Sequence, residues 1–455
     1  MNHILIIIAF NLIIYFKAMR LTIVTDDIRW YKRIEDGMFK HYKGWRAIVQ
    51  RLYSGGTFGS QWEHKIKIGS KTYAIDAIQF DHAFSVALHT LISVLIYMGF
   101  GNSNISLGAA ILYSCNPVNH STSLWLNGRR YAVNIILVLS SLIAWQHHAW
   151  WLAIPLWAIT PLFQMTAIFT PIMFSSWFIP VILVLVVLFR ERIMRFILGR
   201  QSDIYSKELL VVFPRRIIVV VKCYGFYFFH MILPWKVGMY YKTLSRWGVT
   251  TGGNKDAYSY NSDFIKGVTA LVITAVACIL VPSNLKPMVV FGAISLLQWC
   301  NIIYATQTIA DRYCNMANVF MMFFLSIALN AIYPPLCFLF IGYYVASLWL
   351  TMRMYTDIWH FHKYHIWYKP ECNWNWEYFA SYFVRTEQWL YAWPIIDEGL
   401  KYHPNSFTLL YLAARCWKGF GNKKECMKYL IRAKENYYDG QEKLQEKCIR
   451  DFVLP

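Results

Sequence analysis

Asp26 and Asp27 stand side by side a few residues past an apolar N-terminal run. Adjacent carboxylates at a water-shielded mouth are suited to general-base work on a hydroxyl. Two further clusters carry the cations that such a base needs opposite it. Asn116-Pro117-Val118-Asn119-His120-Ser121 leads into Asn127-Gly128-Arg129-Arg130-Tyr131, and Ala310-Asp311-Arg312-Tyr313 lies between two apolar runs. Arginine keeps its charge and offers a planar fork of donors that matches phosphate oxygens. A base that activates an acceptor, facing cations that stabilise a departing phosphate, is the equipment for transfer from a glycosyl phosphate. The plainer account of the same residues is solvated or helix-capping acids, arginines snorkelling to an interface, and an Asp311–Arg312 ion pair.

Composition says where such groups must sit. Of 455 residues 57% are hydrophobic and 15% charged, well under the quarter or so usual in soluble domains. No Asp or Glu falls between Asp81 and Glu191, whereas eleven of the twenty-five acids follow Lys369. That segregation implies a membrane body and a small soluble tail. The formal net charge of +19 comes from Lys and Arg flanking apolar runs, not from a compact basic patch, so anionic lipid headgroups are the expected partners and nucleic acid is not. The ten Cys include no C-x-x-C pair, so they read as core thiols rather than a zinc or disulfide framework.

The elements that position the three clusters follow from hydropathy. Ile4–Phe16 lacks the flanks of a signal peptide and reads as an uncleaved first span, extended to about Met19 by snorkelling of Lys17. A polar outer loop covers 20–81. Further apolar runs fall at Ala83–Phe100, Ile105–Cys115, Tyr131–Trp145, Trp150–Phe174, Trp177–Phe189, Ile217–Trp235, Gly267–Pro282, Val289–Tyr304, Asn315–Ile332 and Leu336–Met354. The fold class expected is all-α, a polytopic body of about eleven spans over 1–368, followed by a helical domain over 369–455. Arg190–Arg216 carries seven basic residues against three acids and is placed in the cytoplasm. Counting from it puts Asp26-Asp27, the Asp311 segment and the tail on the extracytoplasmic side. In the tail, Trp389–Pro404 followed by Ser406–Ala433 has the spacing of tetratricopeptide repeats, with Pro404 closing one unit and Gly419 and Gly421 turning the next.

The order of these features resembles the transmembrane and tetratricopeptide-repeat O-mannosyltransferases of the glycosyltransferase C superfamily. The likeness rests on a helix followed by Asp26-Asp27, His82-Ala83 and Leu88-His89 opening the second helix, Asn116-Pro117-x-x-His120 with Gly128-Arg129, Phe229–Tyr241 around Pro234, Asp311-Arg312-Tyr313, and the repeats. What the resemblance implies is inverting transfer of a sugar, mannose in the family, from a polyprenyl-phosphate donor to a protein Ser/Thr hydroxyl. The membrane would be a bacterial inner membrane or the endoplasmic reticulum. By the resemblance Asp26 or Asp27 matches the catalytic acid, and His120, Arg129, Arg130, Asp311, Arg312 and Tyr313 line the donor pocket. The chain departs from the family in reading Gln164-Met165 where a Lys-Glu pair is usual and Arg130-Tyr131 where an acid follows Gly-Arg. Arg130 then stands in for the missing lysine charge.

No cofactor is called for. The run His360-Phe361-His362-Lys363-Tyr364-His365 has imidazoles close enough to share a cation, but no nearby acid or Cys completes a shell and Lys363 opposes one, so interfacial aromatics are the expected role. Two other functions fit the same sequence: a ligase or polymerase moving whole lipid-linked oligosaccharides to a polypeptide or glycan, and a non-catalytic membrane scaffold or lipid transporter that recruits partners through its tail. Dependence of function on Asp26-Asp27 separates the scaffold from both enzymes.

Overall fold

A computed structural model describes residues 2–21, 64–68, 71–75, 77–160, 170, 213–234, 237–238, 260–297, 300 and 311–436. Asp26, Asp27, Gln164-Met165 and the expected span at Trp177–Phe189 lie outside the described residues. The chain divides into two compact units, with the change between Ile358 and Trp359, ten residues ahead of the boundary read from the sequence.

The first unit opens with α1 (Asn2–Tyr15), which tightens into a 3-10 turn over Phe16–Arg20. Then come α2 (Ala77–Gly99), α3 (Asn104–Cys115), the one-turn α4 (His120–Ser123), α5 (Arg129–Gln146), α6 (Trp150–Ile159), α7 (Phe213–Ile232), α8 (Ser262–Leu280), α9 (Lys286–Leu297), α10 (Asn315–Ile332) and α11 (Leu336–Arg353). Among the described residues five segments are long and apolar enough to cross a membrane: Asn2–Arg20, Ile78–Gly99, Ser262–Leu280, Asn315–Ile332 and Leu336–Arg353. Four more apolar helices run 10–17 residues. At 1.5 Å per residue these fall short of the roughly 30 Å hydrocarbon layer.

Local chemistry sets the helix ends. Ser103 caps α3, its hydroxyl accepting from Ser106 N at 3.2 Å while Ser106 Oγ accepts from Ser103 N at 2.6 Å, after a turn in which Gly101 takes φ 97°. Gly225 of α7 meets Gly267 of α8, where a Cβ on either would collide with the backbone of the other helix. Close approach through small residues is how helices pack where lipid removes the hydrophobic drive between them.

Two expectations need correction. Among the described residues the regular structure is helical except for one hairpin, β1 (His64–Ile68) paired antiparallel with β2 (Lys71–Ile75) in the register His64↔Ile75. The alternation Lys65-Ile66-Lys67-Ile68 carries the period of two that a strand requires, so this part of the expected 20–81 loop is regular structure. Helix α2 also begins at Ala77 rather than Ala83, so Asp81 and His82 are helical residues. A hydropathy reading stops at a charge, whereas the helix carries Asp81 because a cation meets it.

The second unit packs α12 (Ile358–Tyr368), α13 (Asn373–Arg385), α14 (Trp389–Tyr402), α15 (Phe407–Gly419) and α16 (Lys423–Glu435). Its core joins Trp376, Phe379, Phe383, Ile396, Leu409 and Cys416. His362 stacks on Phe379 with ring centres 5.0 Å apart, and burial pushes its imidazole down to about 3, so it is neutral. His365 donates from Nδ1 to the Phe361 carbonyl at 2.7 Å. Ser406 caps α15 through Leu409 N at 3.2 Å and also donates at 2.9 Å to Glu377 Oε1, which accepts from Asn373 Nδ2 at 2.6 Å as well.

Burial raises the Glu377 carboxyl to about 7 against the opposing pull of hydrogen bonds from Ser406, Thr408 and Asn373. The folded unit therefore holds this proton more tightly than the unfolded chain does. Its contribution to stability is full below the ordinary carboxyl range and declines as pH rises towards about 7. Hydrogen exchange on the full-length protein should show α13–α15 opening more readily at pH 8 than at pH 5. Glu377→Gln should flatten that dependence.

Candidate functional site

The C-terminal ends of α1, α3, α7 and α11 and the N-terminal ends of α2, α5 and α10 meet at one pole of the first unit, and the polar side chains gather there. Asn116 ends α3 and starts a 3-10 turn, accepting from Val118 N at 3.0 Å while its Nδ2 donates to the Met231 carbonyl at 2.8 Å near the end of α7. Proline at 117 forces the break in direction, so that the one-turn α4 delivers His120 into the pole. Gly128 follows in the next 3-10 turn. A Cβ there would strike the Ser121 carbonyl, so only glycine lets the chain return this closely before α5 begins at Arg129.

Asp311 is the centre of the arrangement. It is 1% exposed, and among the groups that meet its carboxylate are His120 Nε2 at 3.3 Å from Oδ2, His230 Nε2 at 3.1 Å from Oδ1, and the Gly238 amide, which donates to Oδ2 at 2.8 Å. A carboxylate only accepts, which places a proton on both Nε2 atoms. On the other side of the ring, His120 Nδ1 lies 2.8 Å from the Tyr355 hydroxyl. The result is a chain Tyr355–His120–Asp311–His230 drawn from four distant parts of the sequence.

A second buried pair sits alongside. Arg129 Nη2 donates to Asp81 Oδ1 at 2.8 Å and to the Asp81 carbonyl at 2.6 Å, and its Nε donates to Ser85 Oγ at 3.0 Å. Both side chains are fully buried, and Arg129 Nη1 has no hydrogen-bond partner among the described residues. Arg129 therefore does not face an open pocket as the motif reading expected; it ties α5 to α2. Arg130 and Arg312 are half-buried and stack on rings, Arg130 over Tyr131 at 4.9 Å and Arg312 over Tyr313 at 4.8 Å and Trp125 at 5.9 Å. Tyr313 is itself buried.

Polar contacts continue away from Asp311 into the bundle. Asn318 donates to Asn119 Oδ1 at 3.0 Å, and Asn315 donates to Ser121 Oγ at 2.9 Å. His89 Nε2 and Tyr15 OH both donate to the Ser114 carbonyl, at 3.1 and 2.8 Å. Asn11 donates to Ser114 Oγ at 2.9 Å, and Ser114 Oγ donates to Ser93 Oγ at 2.8 Å.

The structure thus brings together His120, Arg129, Arg130, Asp311, Arg312 and Tyr313, while Asp26 and Asp27 lie outside the described residues. Sequence reasoning missed His230, Tyr355, Gly238 and Asp81 as members. His230 had a usable signal: it is an ionisable residue at the end of the apolar run Phe226–Met231, and such residues are functional suspects by default. Asp81 had another, since a helix that starts Arg129-Arg130 in a fatty body calls for an acid. Among the described residues no three His, Cys, Asp or Glu side chains are grouped to hold a metal ion. No protein-family model, curated protein or solved structure matches the chain.

Removing one member of a buried ion pair strands the other charge, at a cost of roughly 3–5 kcal/mol. Asp81→Ala should therefore lower the thermal midpoint of the purified protein sharply. Adding Arg129→Met to it should recover much of the loss, because the pair is then replaced by apolar contact. A double variant no more stable than Asp81→Ala would show that the pair does not anchor α5 to α2.

Proposed function

We propose that this protein is an integral-membrane glycosyltransferase of the glycosyltransferase C type that moves a sugar, mannose by family likeness, from a polyprenyl phosphate to a protein Ser/Thr hydroxyl on the extracytoplasmic face. One observation carries the reading. Motifs that stand far apart in the chain, Asn116–His120, Gly128-Arg129 and Asp311–Tyr313, converge at a single polar pole of a membrane body. A scaffold has no need of such convergence, and the described spans are close to free of charge between their ends, as a transporter's would not be.

In the proposed step Asp26 or Asp27 takes the proton of the acceptor hydroxyl as its oxygen bonds to the anomeric carbon. The bond from that carbon to the phosphate oxygen breaks, its electron pair stays on the phosphate, and the configuration inverts. Leu21, the last described residue before the acid pair, precedes Asp26 by five residues, and it follows α1 to the end where Met19 and Ala83 both line one groove. Arg130 and Arg312, only half-buried, are the phosphate contacts of this reading. Arg129 acts through Asp81 as a positioning residue. Asp311 holds His120 and His230 in place, with Tyr313 packed beside it.

About eleven spans belong to the same proposal: beyond the five, the runs at Ile105–Cys115, Tyr131–Trp145, Trp150–Phe174, Ile217–Trp235 and Val289–Tyr304 fall wholly or partly on α3, α5, α6, α7 and α9, and Trp177–Phe189 lies outside the described residues. The second unit is read as tetratricopeptide-like. In its support, α15 starts 34 residues after α13 and α16 starts 34 residues after α14, the period of that repeat.

The test is transfer of labelled mannose from polyprenyl phosphate mannose to a Ser/Thr-rich peptide. Loss of the general base should cut the rate by about 10²–10⁴ in Asp26→Asn/Asp27→Asn with the thermal midpoint unchanged. Arg130→Ala and Arg312→Ala should each weaken donor binding. Full activity in the Asp double variant would end this mechanism, and unchanged donor affinity in Arg130→Ala would remove its role as substitute for the family's lysine.

A further inference from the structure

Helices α1 and α2 run antiparallel, joined near one end by His3 Nδ1 and Tyr97 OH at 3.2 Å and near the other by Tyr15 OH and His89 Nε2 at 3.2 Å. Between these ties they do not close. A groove of about 460 Å³ runs along them from Ile4 and Val94 to Met19 and Ala83. It exists because α2 presents small side chains, Ala83, Ala87 and Thr90, to Ile8 and Leu12 of α1. Its wall is apolar along almost all of its length.

We propose that this groove holds the hydrocarbon tail of the polyprenyl phosphate donor, an inference that rests on the transferase reading for the identity of the lipid. Length is the first argument. The stretch Ile4–Met19 spans roughly 22 Å at 1.5 Å per residue, long enough for several isoprene units of an extended hydrocarbon chain. Charge is the second. Lys17 and Arg20 are exposed on the turn at the Met19 end, and neither has an ion-pair or hydrogen-bond partner among the described residues. On the extracytoplasmic side, where the transferase reading puts them, cations run against the usual orientation bias of membrane helices. An anionic headgroup entering at that end accounts for them. Continuity is the third, since Ala83 lies two residues from Asp81, whose partner Arg129 adjoins Arg130. A tail in the groove sets its phosphate at the polar pole.

The full-length protein in phosphatidylcholine nanodiscs is photolysed with a polyprenyl phosphate bearing a diazirine in its third isoprene unit, and adducts are mapped by mass spectrometry. Adducts should fall within Ile4–Leu12 and Ala83–Val94, and excess unlabelled polyprenyl phosphate should remove them where equal phosphatidylglycerol does not. Ala87 is exposed to the groove, so Ala87→Trp fills it and should cut labelling about tenfold, a loss of about 1.4 kcal/mol in binding. Val272→Trp, on the exposed face of α8, should leave labelling unchanged. Thr90→Ile provides the same test by a smaller filling, and Lys17→Ala/Arg20→Ala should weaken competition without touching the core. Adducts spread over α8 and α11 overturn the proposal. So does equal competition by phosphatidylglycerol, which marks a site for ordinary bilayer lipid. Groove labelling without any sugar transfer removes the transferase and keeps the lipid site. Transfer that survives Ala87→Trp yet is lost in Asp26→Asn/Asp27→Asn removes the groove assignment and keeps the transferase.

Discussion

A carboxylate buried in a body sheathed by hydrocarbon must find its donors within the protein, and those of Asp311 include three. Each comes from a different stretch of chain: His120 from the turn after α3, His230 from the end of α7, and Gly238 from the segment beyond it. Tyr355, past the end of α11, completes the set through His120. None of these segments can drift without exposing a charge to an apolar interior, so the single acid fixes four helix ends against one another. Apolar packing alone would not do this, because in lipid it confers little preference for one helix register over another.

Asp81–Arg129 does the same for α2 and α5, with Gly128 allowing the chain to come close enough for the pair to form. These two anchors and the Ser114 network leave the pole polar and the bundle below it apolar. The groove beside α1 is a by-product of that arrangement. The hydrogen bonds of Tyr15 and Asn11 hold α1 near α3 and α2, and the small residues on α2 then leave the remaining gap unfilled.

Much of the scaffold was legible in hydropathy. The run Asn315–Ile332 coincides with α10, and Leu336–Met354 exceeds α11 by one residue, because Pro334-Pro335 and Arg353 punctuate their ends. Legibility failed where tertiary partners override local cues. Asp81 looked like a terminator until Arg129, 48 residues away, was seen to meet it. The hairpin at Lys65–Ile75 failed for a different reason, its signal being present but short. At the site, rarity of charge identified Asp311, His120 and the arginines. Nothing local pairs His230 with an acid 81 residues later, or Tyr355 with a histidine 235 residues earlier. Resemblance ordered the motifs but misjudged Arg129, whose burial only the fold reveals.

The burial of the two best-defined acids bears on where a base would have to be. A general base must present an oxygen to the acceptor hydroxyl at about 2.6–3.2 Å. Asp81 and Asp311 are sealed, at 0% and 1% exposure, and their oxygens already accept from Arg129, from the two imidazoles and from Gly238. Freeing either would strand its partners, so these acids are builders of the pole and not its reagents. In a transferase of the proposed kind the base then belongs to the polar connections, where a carboxylate can meet water and substrate. In the proposed transferase this role falls to Asp26-Asp27, which follow Leu21 in the sequence by five and six residues. The same reasoning separates the arginines: Arg129 is sealed against Asp81, while Arg130 and Arg312 are half-buried and stacked on rings, which leaves them to the phosphate only within the proposed transferase.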